Sequence, residues 1–206
     1  LQLPLSNVAV VAQSHFSKTG GATAIGEQPI KMIVNPAAGA RMAVGEAMTN
    51  LMWAKVEDLE QVKCSANWMW APKLEGEGAA IYDAAKAMRD AMMALGIAVD
   101  GGKDSLSMAT MVGGETVKSP RQLVISLYAA MPDITRKITP DIKDPESSLV
   151  FIDLAGGKNR LGGSALAQVN AQVGDCPADM DDPDLVRRGF NAIQELIGKG
   201  LVRAGH

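Results

Sequence analysis

Cysteine is nearly absent: Cys64 and Cys176 are the only two in 206 residues. They form neither a disulfide framework nor a metal-ligand spacing. Such usage fits a reducing compartment, with the cytoplasm as the expected location and both thiols as packing residues. Aromatic residues make up only 4% of the chain, which argues against a base-stacking platform. No block of five or more Lys/Arg occurs and the net charge is -3, so a nucleic-acid surface is excluded as a partner class. No apolar run approaches the ~18 residues that a membrane span requires. His15 and His206 are the only histidines; each is isolated from the other and from any Ser or Cys in a plausible triad, so no nucleophilic arrangement is indicated. Residues Leu1 to Leu5 carry no initiator Met and no charged region of a signal peptide. The chain reads as a piece of something longer.

What is abundant is aliphatic: 47% of residues are hydrophobic, twelve of them Met. Residues 8–12 read as a buried strand and His15 to Gly21 as a loop. Pro36 opens a helix running to about Val56. Its sides are apolar nearly all round, with Val44, Met48 and Leu51 on one and Met42, Ala43 and Trp53 opposite, so it should be buried. A second helix is expected over 77–95, with Gly96 as its stop. Leu123 to Ala129 reads as a strand, Pro132 to Pro145 as a linker, and Leu149 to Leu154 as the strand that opens a new unit. A Gly-rich loop through Gly162-Gly163 then leads into a helix over about 163–173. In the last helix Asp182 is the N-cap and Pro183 the first position, with Leu185, Val186, Phe190, Ile193 and Ile197 on one face. The order of elements lacks a regular βαβ rhythm and favours an α+β fold.

Two clusters carry candidate chemistry. Gly101-Gly102-Lys103-Asp104-Ser105 follows the apolar run 95–99, and it combines backbone freedom, a cation and a hydroxyl as a phosphate site would. It is not a Walker A loop, because Ile97 stands where the first glycine belongs and Asp104 follows the lysine. A plain turn is the competing reading. Glu46 and Asn50 lie four residues apart on the buried helix and are therefore neighbours. A buried carboxylate needs a cation, a ligand or a donor network, and a hydrogen-bonded structural pair satisfies that need equally well.

Five segments in order resemble the phosphoribosylformylglycinamidine synthase family. They are Gly26-Glu27-Gln28-Pro29, the run from Ala40 to Asn50, Cys64-Ser65-Ala66-Asn67-Trp68-Met69-Trp70, the run from Ala98 to Met108, and Arg160 to Gln168. The resemblance implies a PurM-like (aminoimidazole ribonucleotide synthetase-like) first domain over 1–140 and the start of a second α/β domain over 146–206. It implies an ATP-dependent ligase that makes formylglycinamidine ribonucleotide from formylglycinamide ribonucleotide, ATP and ammonia released from glutamine. Magnesium and ATP are the implied cofactors, and the rest of the parent chain is the implied packing partner.

By the same resemblance Glu46 and Asn50 are magnesium ligands. The family places a third ligand, an aspartate, thirty-nine residues before Glu46; this chain has Asn7 there. Ser6 would contact nucleotide. Gly102 and Lys103 would face nucleotide phosphate, and Ser105, Ser65 and Asn67 substrate. Trp68 and Trp70 are expected as hydrophobic anchors, Glu27 as a structural residue at a strand start, and Ser164 as a helix N-cap. The family's glutaminase machinery has no counterpart here, nor does its further aspartate ligand, so the 206 residues alone are expected to be catalytically silent. A kinase of the same superfamily and a non-catalytic scaffold are the alternatives.

Overall fold

The computed structural model describes residues 6–206. Its centre is a five-stranded sheet in the order β1-β2-β7-β3-β4. The strands are β1 (Ala9–Ala12), β2 (Gly20–Glu27), β3 (Lys63–Met69), β4 (Ala98–Ser105) and β7 (Gln122–Met131). Strand β7 is antiparallel to both β2 and β3, and β3 is parallel to β4. So β2, β3 and β4 all run the same way. Their C-terminal ends share one edge of the sheet, and the start of β1, antiparallel to β2, lies there too. A small hairpin, β5 (Ala109–Val112) with β6 (Glu115–Lys118), stands apart from the sheet.

One sheet face is apolar and covered. Ala22 and Ala24 of β2, Cys64 and Ala66 of β3, and Leu123, Ile125 and Leu127 of β7 alternate onto it, as the two-residue period of a strand requires. Helix α2 (Pro36–Leu51) lies on this face with α3 (Glu77–Leu95) packed beside it. Small residues allow a very close approach: a Cβ at Gly26 would sit 2.1 Å from the Ala43 carbonyl oxygen and 2.5 Å from the Ala47 nitrogen. Helix α5 (Pro183–Gly198) adds Val186, Phe190, Ile193 and Ile197 to the same core. Its Asp182 cap accepts from Leu185 N–H, as its sequence indicates. The opposite sheet face leaves Thr23, Ile25 and Glu27 exposed and Ser65, Asn67, Ser126 and Tyr128 half-buried.

Several boundaries differ from the sequence reading. Helix α2 begins at Pro36, where a β-region Asn35 bonds Ala38 N–H, but it stops at Leu51 rather than Val56. Gln194 of α5 explains the stop. Its Nε2 donates to the Met52 and Ala54 carbonyls and its Oε1 accepts from Val56 N–H, so the departing backbone is satisfied without another helical turn. A short helix α1 (Pro29–Val34) precedes α2. The expected loop to Gly21 is already strand at Gly20, and Glu27 ends β2 rather than starting a strand. The expected helix over 163–173 is only α4 (Ala165–Val169), capped by Ser164. Leu149 to Leu154 pairs with no described strand and leaves Leu149 and Phe151 almost fully exposed.

Candidate functional site

The residues singled out by sequence gather along one sheet edge. Ser6 and Asn7 precede β1; Glu27 and Gln28 end β2; Asn67 and Ser105 lie at the ends of β3 and β4. The site has two parts, one on each flank of that edge.

The first part is built where α2 meets β2. The close contact at Gly26 puts Glu46 and Asn50 against the β2 backbone. Glu46 Oε2 accepts from Glu27 N–H at 2.7 Å and from Gln28 Nε2 at 2.8 Å. Gln28 Oε1 in turn accepts from Lys31 Nζ at 2.5 Å. An ammonium can only donate, so Lys31 fixes which end of the Gln28 amide turns to Glu46. Burial pushes the Lys31 ammonium below its ordinary range, and the nearby Glu46 carboxylate partly offsets this. Asn50 Nδ2 donates to the Ile25 carbonyl at 2.8 Å, and its Oδ1 accepts from Asn7 Nδ2 at 2.7 Å. Asn7 Oδ1 lies 2.7 Å from His206 Nδ1. Ser6, expected as a nucleotide contact, is exposed and its hydroxyl donates to the Val8 carbonyl at 3.1 Å.

The second part lies on β3 and β4. Register pairs Asn67 with Lys103, Ser65 with Gly101 and Met69 with Ser105. Lys103 Nζ donates to Ser105 Oγ at 3.0 Å. Here the sequence reading needs correction, because the Gly-Gly-Lys-Asp-Ser run lies in strand β4 and is not the plain turn offered as the competing reading. Neither Gly101 nor Gly102 has a positive φ. Gly102 is required for another reason: a Cβ there would stand 2.2 Å from the Ala66 carbonyl oxygen of the neighbouring strand. Glu27 and Lys103 share a transverse row through Val124 and Asn67. Three interstrand steps of ~4.8 Å separate them by ~14 Å, so the edge holds two neighbouring clusters and not a single pocket.

A buried polar hub supports this edge from behind. Glu77, 2% exposed, accepts from Trp70 Nε1 and Arg121 Nε, each at 2.9 Å, and from Lys118. Arg121 also reaches the Met32 carbonyl of α1, the helix that carries Lys31. Burial alone would raise the Glu77 carboxyl, but the bonds to Arg121 and Lys118 prevail and hold it at about 2. Trp70 is thus an anchor with a polar tip, while Trp68 stays half-buried beside it.

Gln28, Lys31 and His206 are site residues that sequence reasoning missed. Gln28 directly follows Glu27 as the N-cap of α1 and Lys31 lies four residues after Glu27 within that helix, and the Gly26 motif was the available signal for them. The contact of His206 with Asn7 was not readable from spacing, since 199 residues separate the two.

The FGAR-AT PurM_N-like domain model matches residues 1–130. A probable chloroplastic/mitochondrial phosphoribosylformylglycinamidine synthase of Arabidopsis thaliana is 59% identical over the whole chain, which spans 15% of that relative. The human phosphoribosylformylglycinamidine synthase is 56% identical, again over the whole chain and 16% of the relative. Among solved structures, Thermotoga maritima PurL complexed with FGAR superposes with a TM-score of 0.58 at 14% identity, over 94% of this chain and 26% of that one. Phosphoribosylformylglycinamidine synthase II of the same organism gives 0.51 at 17% identity, over 66% of this chain and 21% of that one. At such identities these two structures speak to the fold, which they share with the mixed sheet and helical layer described above. With its family model matched over more than half its length, the chain belongs to the FGAR-AT PurM_N-like domain family.

Proposed function

We propose that this chain forms one wall of the nucleotide and substrate region of a phosphoribosylformylglycinamidine synthase. That enzyme would be an ATP-dependent ligase converting formylglycinamide ribonucleotide and glutamine-derived ammonia to formylglycinamidine ribonucleotide in purine biosynthesis. The observation that carries the reading is the Glu46–Asn50–Asn7 cluster on the sheet edge in a member of this family. Residues 1–140 would make up the PurM-like first domain and 146–206 the start of the second, whose helix α5 packs into the core of the first. The exposed apolar run at 149–152 supports that division, as it would take its strand partners from elsewhere in the parent chain. Two free cysteines, one buried and one exposed, agree with a reducing compartment such as the cytoplasm. No described helix is long and apolar enough to cross a membrane.

The donor set fits Mg²⁺. It offers one carboxylate and two carboxamides, all hard oxygens, and both donors to Glu46 engage Oε2, leaving Oε1 for another partner. One carboxylate combined with nucleotide phosphates is a common way to hold this ion. Glu46, Asn50 and Asn7 would be its ligands, and when bound it would neutralise phosphate charge during phosphoryl transfer. Around it the chain's own groups position and orient. Gln28 and the Glu27 amide fix Glu46, and the Ile25 carbonyl fixes Asn50. Ser6, Gly102 and Lys103 would face nucleotide, with the Lys103 ammonium able to pair a phosphate oxygen, while Ser105, Ser65 and Asn67 would face substrate. Such a site works by preorganised charge and placement. The test is Glu46→Ala in the longer protein that carries this sequence, with amidine formation followed against Mg²⁺ concentration. A raised Mg²⁺ requirement is expected; an unchanged dependence contradicts the assignment.

A further inference from the structure

Gln28 stands where a helix start favours Ser, Thr, Asp or Asn. It is the N-cap of α1, with Pro29 at the first helical position, yet its side chain makes no capping bond. The amide serves Glu46 instead. Its Nε2 donates to Glu46 Oε2 at 2.8 Å, beside the Glu27 N–H that reaches the same oxygen at 2.7 Å. A carboxylate oxygen has two acceptor positions, so these two donors fill Oε2. The direction of the Gln28 amide follows from Glu46 itself, since a carboxylate accepts and cannot donate. The amide is also held from its other end. Lys31 Nζ bonds its Oε1, and the Gly163 backbone packs so tightly on Lys31 that a Cβ there would lie 2.9 Å from the Lys31 Cα, Cγ and N.

A cation arriving at this edge therefore meets Glu46 through Oε1 alone. One-point contact suits some divalent ions better than others. Mg²⁺ is small, demands octahedral geometry and keeps several of its waters, so a single carboxylate oxygen satisfies it. Ca²⁺ is larger, gathers more oxygens and engages carboxylates through both of theirs as well as through one. To do so here it would have to displace a donor from Oε2, and hydrogen bonds to a charged group are the strong ones. The Glu27 N–H is fixed by the backbone, so Gln28 is the donor that would yield. We infer that Gln28 is a specificity-determining residue: by occupying Glu46 Oε2 it limits the carboxylate to one-point coordination and favours a small octahedral cation over Ca²⁺. The inference rests on the reading that the Glu46–Asn50 cluster takes a divalent cation.

The experiment uses the longer protein with Mn²⁺ as probe, read by loss of the free-ion EPR signal, and with Mg²⁺ and Ca²⁺ each as competitor. The quantity read is the ratio of the two competition constants. A residue that merely supported the site would change both constants together and leave their ratio alone. Two variants remove the donor. Gln28→Met keeps the length without an N–H, while Gln28→Asn keeps an amide at a favoured N-cap but falls a methylene short of Oε2. Each is expected to shift the ratio about tenfold towards Ca²⁺, the lower end of what one hydrogen bond to a charged group contributes. An Asn50→Ala variant isolates this site from any other. A parental ratio in both Gln28 variants, with Asn50→Ala impaired in Mn²⁺ binding, overturns the inference and leaves the cation site standing. A shift in only one of the two also overturns it, because both lack the bond to Oε2. If Asn50→Ala binds Mn²⁺ as the parent does, the cation site itself is wrong and the inference falls with it.

Discussion

Replacing Asn7 by Asp should make the site depend on a cation for its integrity. In the parent, Asn7 Nδ2 donates to Asn50 Oδ1 at 2.7 Å. Aspartate has no donor, so two oxygens would face each other at that distance beside the Glu46 carboxylate. Losing the bond and leaving an acceptor unpaired costs ~1–3 kcal/mol, and the half-buried position favours the low end. With a cation present the balance reverses. A unit charge pair at ~4 Å in a partly solvated site gains roughly 4 kcal/mol at most before desolvation. If desolvation and screening leave about a third of this, ~1.4 kcal/mol remains, a tenfold tighter Mg²⁺ affinity. The assay is a calorimetric Mg²⁺ titration of the parent and Asn7→Asp proteins at full length, paired with melting curves with and without the ion. The variant should melt lower than the parent without Mg²⁺ and gain more from adding it. Identical titration curves would mean that Asn7 serves only its local hydrogen bonds and never meets the ion.

Gly26→Ala should push α2 away from β2, since its Cβ would meet the Ala43 carbonyl oxygen at 2.1 Å. A loss of stability above ~2 kcal/mol, seen in denaturant melts, is expected from such overpacking, together with weaker Mg²⁺ binding because Glu46 and Asn50 would lose the β2 backbone. Glu77 predicts an acid-side loss of stability. Burial opposes its charge, but Arg121 and Lys118 hold its folded carboxyl at about 2 against an ordinary 4.5. A depressed folded value stabilises above the unfolded value, and that contribution disappears as pH falls from about 4.5 towards about 2. Melting temperatures across that window should fall in the parent, and Glu77→Gln should lack this component while being less stable at neutral pH.

The legible parts of this fold are those written in local chemistry. Helix α3 runs from Glu77 to Leu95 as its alanine spacing and Gly96 indicate, and α5 begins at the Asp182-Pro183 pair. Segments that depend on distant partners were less legible. The glycines at 101 and 102 suggest a loop when read alone, yet Gly102 answers to the Ala66 carbonyl on a strand 36 residues earlier. The glycines opening β2 likewise mask a strand whose small residues exist to admit α2. Leu149 to Leu154 has a strand's composition, but a strand forms only by pairing, and it pairs with no described strand. At the site, Asn7 and Asn50 bond each other, and Glu46 lies one helical turn from Asn50 on α2. Their bonding was not legible, because the Ile25 carbonyl decides it through amide orientation, which residue spacing does not encode.

In the proposed function Glu46 and Asn50 present oxygens to a divalent cation at the end of β2. Anomalous diffraction from crystals of the longer protein grown with Mn²⁺ and ADP tests it most directly. A manganese peak is expected within coordination distance of Glu46 Oε1 and Asn50 Oδ1, lost in Glu46→Ala crystals. Crystals with Mn²⁺ bound elsewhere on the protein and no peak at these two oxygens would contradict it.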